Sequence, residues 1–211
     1  MFKAILISSV MLNLGLLLGR VSGFVRQSFI AMAYGDSPEA DVVVFMLTVP
    51  DLLVNILMGG AFGAVLIPAF ANDAKQAKKL LYQTVTLFGL LACAVSALLF
   101  WQSELLVSFL APGFNGDQTI KAAQAFNFVV VLIPLTVMAG GTTAYLQYKN
   151  KFTVPSLGTL IVNTSIIIGL YLVYRGDGKI QLLACFVVLG GLVRLATQVV
   201  ATKPSWNPVL G

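Results

Sequence analysis

The chain has 211 residues, 58% of them hydrophobic and only 10% charged, with a mean hydropathy of +0.93. Soluble domains carry about 25% charged residues, so this composition excludes a water-soluble globular protein and points to one whose apolar surface faces lipid. Histidine is absent and the net charge of +5 is scattered between apolar runs, which excludes imidazole chemistry, histidine-ligated metals and the aromatic-interleaved basic face of a nucleic-acid reader.

At roughly 20 apolar residues per crossing, the length predicts an all-α integral membrane protein with a bundle of six transmembrane helices. The spans fall near 4–33, 38–70, 79–109, 119–148, 153–174 and 180–201, filling residues 1–203 and leaving 204–211 as a cytoplasmic tail. Cys93 and Cys185 each lie inside an apolar run and read as small hydrophobes, not as a disulfide or metal pair. No cofactor and no metal are expected.

Span one runs straight into Arg20 with no small-x-small cleavage site, so it reads as a retained helix, not a signal peptide. Gly15, Gly19 and Gly23 recur every four residues, close to one helix face. The stripe is either a plain packing surface for a second helix or a flexing hinge. At about 1.5 Å per residue, spans one and two are longer than a roughly 30 Å hydrocarbon core, so they should tilt, bend or break. Pro50 and Gly59-Gly60 supply the breakers in span two.

The same two spans carry charge. Counted from the outer helix ends, Arg20 lies about 20 Å deep and Asp51 about 16 Å deep. A charge at the bilayer centre costs about 2.5–3.5 kcal/mol, so each should face protein or water. Two readings of Arg20 stand: an ion pair with Asp51 at matching depth, or a watery cavity where it receives an anion. Arg26 is six residues on, about 120° round a straight helix, so one ligand meets both arginines only if span one bends near Gly23. Two guanidiniums on one wall suit a diphosphate, because each presents a planar fork of donors and keeps its charge.

In span four, Pro134 followed by Gly140-Gly141 predicts a kink, static or moving. Asn163-Thr164-Ser165 matches a glycosylation sequon but lies inside span five and reads as chance. Arg194 in span six is about 10 Å from the cytoplasmic helix end and reads as snorkelling. Orientation follows the Lys/Arg bias. Lys3, Lys75, Lys78, Lys79, Lys149, Lys151 and Lys203 fall on one side, against Lys121, Arg175 and Lys179 on the other. Both termini are therefore expected in the cytoplasm.

The string Gly19-Arg20-Val21-Ser22-Gly23-Phe24-Val25-Arg26 resembles the first helix of the MurJ/MviN-type lipid II flippase family. The resemblance continues with Asp41, Val49-Pro50-Asp51-Leu52-Leu53, Gly60-Ala61-Phe62, Ile67-Pro68 and Ala111-Pro112-Gly113-Phe114. It ends with Tyr148-Lys149-Asn150-Lys151-Phe152 and Pro155, and so covers nearly the whole chain in order. It implies the fold of the multidrug/oligosaccharidyl-lipid/polysaccharide exporter superfamily, in which two six-helix lobes rock about a central cavity. By that resemblance the protein is a transporter of the cytoplasmic membrane, not an enzyme. It flips a polyprenyl-diphosphate-linked sugar precursor while the lipid tail stays in the bilayer.

Carried over residue by residue, the family's cationic contacts fall on Arg20 and Arg26, and its acid at the start of helix two on Asp41. Asp51 and Asn55 complete the expected substrate-binding set, with Gly19, Gly23, Pro50 and Pro134 as hinges. Where the family carries an asparagine after the helix-two proline, an arginine pair and a glutamate, this chain holds Asp51, Val54-Asn55 and Gly59. Three alternatives follow: a paralogue flipping an exopolysaccharide unit, an ion-coupled drug antiporter using Asp51, or an inactive partner lobe. The family is roughly twice as long, so the resemblance implies an amino-terminal lobe with residues 204–211 opening an inter-lobe loop. A second lobe would then be needed in cis or in trans.

Overall fold

The computed structural model describes residues 2–58, 61–176 and 179–203. Among them are ten α-helical segments. They are α1 (Phe2–Tyr34), α2 (Pro38–Met58), α3 (Ala61–Asn72), α4 (Ala77–Trp101), α5 (Ser103–Leu110), α6 (Gly116–Val129), α7 (Leu132–Tyr148), α8 (Thr153–Ser156), α9 (Gly158–Arg175) and α10 (Ile180–Ala201). Four stretches of the described residues are long and apolar enough to cross a membrane: Ala77–Trp101, Gly116–Tyr148, Thr153–Arg175 and Ile180–Ala201. The expectation of six crossings is thus met for four. The two others, at 4–33 and 38–70, coincide in extent with α1 and with α2 plus α3.

The helices are inside out by the standards of a soluble protein. On α4 the face toward neighbouring helices carries Gly89, Ala92 and Ser96, while Leu87, Leu90, Leu91 and Leu98 point outward and are exposed. Lipid covers such a surface without cost, and small residues let backbones approach where packing alone must hold helices together.

The breaks follow from backbone chemistry. Span four divides at Val130-Val131, between α6 and α7. Pro134 has no N–H to return to the Val130 carbonyl. That oxygen instead accepts from the Ile133 amide at 3.1 Å and the Ser96 hydroxyl at 3.3 Å. Pro50, by contrast, sits inside an uninterrupted α2. The Gly59-Gly60 pair lies outside the described residues; α2 ends at Met58 and α3 begins at Ala61. At the end of α7, Asn150 takes a left-handed φ of 58°, and the Lys151 amide returns to Leu146 O at 2.8 Å, closing the helix.

One core joins α2, α6, α7, α9 and α10, with Val43, Met46, Phe126, Ile133, Leu170 and Leu183 fully buried. A smaller one joins α3, α4 and α7 around Phe70, where Tyr145 packs edge-on at a centroid distance of 5.5 Å. The α7 and α10 helices are further tied by Gln198, wholly buried. Its Oε1 accepts from Thr142 at 2.9 Å and its Nε2 donates to Thr143 at 3.1 Å. Extensive contact of α9 with both α1 and α10 places α9 as the spacer between them.

Candidate functional site

The glycine stripe of α1 is a seam against α8 and α9. A Cβ at Gly15 would collide with the Ser156 side chain; one at Gly19 would come within 3.2 Å of Thr159 Cβ, and one at Gly23 within 3.5 Å of Asn163 Nδ2. The packing reading of the stripe is therefore realised, and α1 runs unbroken through all three glycines.

At the end of this seam stands Asn163, 3% exposed in the middle of α9. Its Nδ2 donates to Gly19 O at 3.1 Å and to Ser22 Oγ at 3.0 Å. Its Oδ1 accepts from Arg26 Nη1 at 3.1 Å. A buried amide that spends both ends on one neighbouring helix fixes that helix and, here, the orientation of a guanidinium.

Arg26 opens onto a narrow cavity of about 40 Å³ whose lining includes Leu47, Asp51, Thr136, Ile166 and Arg194. That is space for a few water molecules and not for a diphosphate. Asp51, itself exposed, sits at the rim, and the two cations acting on it are Arg194 and Arg26. Among the described residues Arg20 and Asp51 form no ion pair; the only salt bridges join Lys121 to Asp117 at 2.7 Å and to Glu39 at 3.6 Å. The reason is angular. Arg20 follows Gly19 by one residue, about 100° round from the seam, and its side chain is exposed away from the bundle.

Arg194 departs from the expected snorkelling. Its side chain lies across Gly158, where a Cβ would come within 2.9 Å of Nε. It lines both the narrow cavity and a second one, of about 220 Å³, bordered by Val54, Phe62, Thr143 and Gln147.

Of the residues expected to bind substrate, the structure brings together Arg26 and Asp51, and it adds Arg194, which the sequence places outside the site. Arg20 is not on that cavity's wall. Asp41 sits in the exposed first turn of α2, about 15 Å along the helix from Asp51. The Asn55 side chain lies outside the described residues. Gly19 and Gly23 lie on the α9 seam, and Pro134 in the first turn of α7. In the sequence Asn163 reads only as part of a chance sequon and Arg194 as a snorkelling charge, which places neither in the site. The available signal was polarity within an apolar run, which marks an intramembrane Asn or Arg as a candidate but does not say which way it points.

Comparison with known proteins extends this picture. The family profile of lipid II flippase MurJ matches residues 30–205. A probable lipid II flippase MurJ of Aquifex aeolicus (strain VF5) is 30% identical over 194 residues, covering 89% of this chain and 38% of that protein. The lipid II flippase MurJ of Thermosipho africanus (strain TCF52B) is 25% identical over 170 residues, covering 80% of this chain and 36% of that one. A solved structure of lipid II flippase MurJ in an inward closed conformation is similar in fold, with a TM-score of 0.80 at 20% identity. The match covers 95% of this chain and 43% of that chain. The chain thus spans well under half the length of these relatives.

Proposed function

The chain belongs to the lipid II flippase MurJ family, and from that premise we propose that it forms the amino-terminal lobe of a transporter that flips a polyprenyl-diphosphate-linked sugar across the cytoplasmic membrane. In this reading residues 1–203 are six crossings, with α1 and α2–α3 as the first two and both termini in the cytoplasm. The diphosphate docks on Arg26 while the prenyl tail stays in lipid. Arg20, exposed on the flank of α1 away from α9, faces the cavity completed by a second lobe, in cis or in trans. Asp41 and Asn55 belong to the same substrate path; residues 204–211, expected from the sequence to be a tail or the start of an inter-lobe loop, lie outside the described residues.

The observation that carries the reading is the convergence of Arg26, Asp51 and Arg194 on one cavity inside a bundle of apolar helices. Charges in such a place are expensive and are retained for transported ligands, ions or protons. The cavity as it stands admits only water-sized groups, so loading requires α1 to move off α9 at Gly19 and Gly23, with Pro50 and Pro134 as further flexing points. Asp51 beside two guanidiniums is a poor site for a cation, which speaks against the drug-antiporter alternative.

The test is made in the native host, with Arg26 or Arg20 replaced by glutamine at the chromosomal locus. Lipid-linked precursor reaching the outer leaflet is measured by an impermeant label. Both variants should stop its appearance there while precursor builds up on the inner side. Wild-type outer-leaflet labelling with Arg26→Gln would sink the proposal.

A further inference from the structure

The second arginine of the cavity has no role in the family resemblance as set out above, yet its surroundings are those of a ligand-binding group. Arg194 lies between two cavities: the narrow one it shares with Arg26 and Asp51, and the wider one along α7 from Thr136 to Gln147. That wall is about 16 Å long at the helical rise. It ends next to Tyr148-Lys149, the side read above as cytoplasmic.

Its hydrogen bonding is incomplete. Arg194 Nε is buried without a partner, and so is Arg26 Nε. A guanidinium carries five donors and no acceptor. Removing it from water costs several kcal/mol unless counter-charge and acceptors are supplied. Neither arginine forms an ion pair within the described residues, and one carboxylate, Asp51, stands against two positive charges. The cavity therefore holds one net positive charge and spare donors on two separate forks. A compact anion with oxygens on two centres answers both deficits, and a single carboxylate answers neither fully.

We propose that Arg194 is a ligand-binding residue that takes one phosphoryl group of a prenyl-linked diphosphate while Arg26 takes the other. The ligand enters from the wider cavity, where Arg194 is the one cation among the lining residues. Asp51 supplies the one nearby counter-charge for the two guanidiniums, acting across the cavity without a direct ion pair to either. The ligand class rests on the flippase reading; the assignment of Arg194 does not follow from it.

The full-length natural protein, in lipid nanodiscs, is titrated with farnesyl diphosphate. Arg26→Gln and Arg194→Gln should each weaken binding by roughly 10- to 100-fold, the size expected for loss of a charge-assisted contact. Arg194→Lys, which keeps the charge and loses the fork, should fall between. Wild-type affinity in Arg194→Gln alongside a weakened Arg26→Gln overturns the role of Arg194 and leaves the flippase reading standing. Wild-type affinity in both variants removes the flippase site itself. Recovery of binding when Asp51→Asn is added to Arg194→Gln would mean that Arg194 only neutralises Asp51, and would overturn the proposal. Inorganic pyrophosphate should bind more weakly than farnesyl diphosphate; equal affinity overturns the lipid-linked assignment. If Arg194→Gln does not stay folded, phenylglyoxal labelling of the wild-type protein replaces it. Farnesyl diphosphate should slow the adduct at Arg194 measured by mass spectrometry, and an unchanged rate overturns the assignment.

Discussion

Asn163 Oδ1 receives the Arg26 guanidinium at 3.1 Å across the seam between α1 and α9. The asparagine cannot rotate to follow the arginine, because its amide nitrogen is held by Gly19 O and Ser22 Oγ. Asn163→Ala should therefore free the guanidinium and lower farnesyl diphosphate affinity by roughly tenfold, the worth of one hydrogen bond to a charged group. Asn163→Asp should lower it further, since a carboxylate neutralises Arg26 and cannot donate to Gly19. Unchanged affinity in Asn163→Ala would remove its positioning role.

The seam has a second consequence at its amino-terminal end. Gly15→Ala places a methyl group onto Ser156, and forced overpacking of this kind costs about 1–3 kcal/mol. A fall in the thermal unfolding midpoint in detergent is expected. Gly113→Ala, where an added Cβ meets nothing within 4 Å, serves as the control and should leave the midpoint in place. Equal midpoints for both would mean that the α1–α8 contact is looser than the geometry indicates.

Ser96 and Pro134 form a pair that a double-mutant cycle isolates. Ser96→Ala withdraws the hydroxyl that reaches Val130 O and should cost about 1 kcal/mol. With Pro134→Ala the amide of residue 134 can reach that carbonyl, so Ser96→Ala should cost less in that background. The same cost in both backgrounds, read from unfolding midpoints, would separate the hydroxyl from the break.

Gln198 links α7 to α10 with no access to solvent. Gln198→Leu fits the volume but removes an acceptor from Thr142 and a donor from Thr143. The expected loss is about 1–3 kcal/mol. Thr142 has a second outlet in Ala139 O at 3.0 Å, so Gln198→Leu should sit nearer the lower end. A stabilised variant would show that the network is held for specificity and not for stability.

The sequence was most informative where backbone chemistry is local. Pro134 marked span four as interrupted, and the apolar runs of spans four to six fall on α6–α7, α8–α9 and α10. The left-handed turn at Asn150 likewise sits where a charged loop interrupts two apolar runs. Arg20 and Arg194 were read less well, for one reason. Depth along a helix is set by counting residues, but azimuth depends on which neighbour the helix packs against, and a residue near a helix end can point either outward or across a glycine.

Composition and the spacing of apolar runs thus determined the class of protein, its all-helical build and the presence of costly charges, because lipid imposes those requirements on any chain. Only the tertiary structure decided that Arg26 and Arg194, and not Arg26 and Arg20, share a cavity. That outcome depends on α1 and α10 lying on opposite sides of α9, with Gly158 giving Arg194 room to turn inward, a contact between residues far apart in the chain that no local pattern encodes.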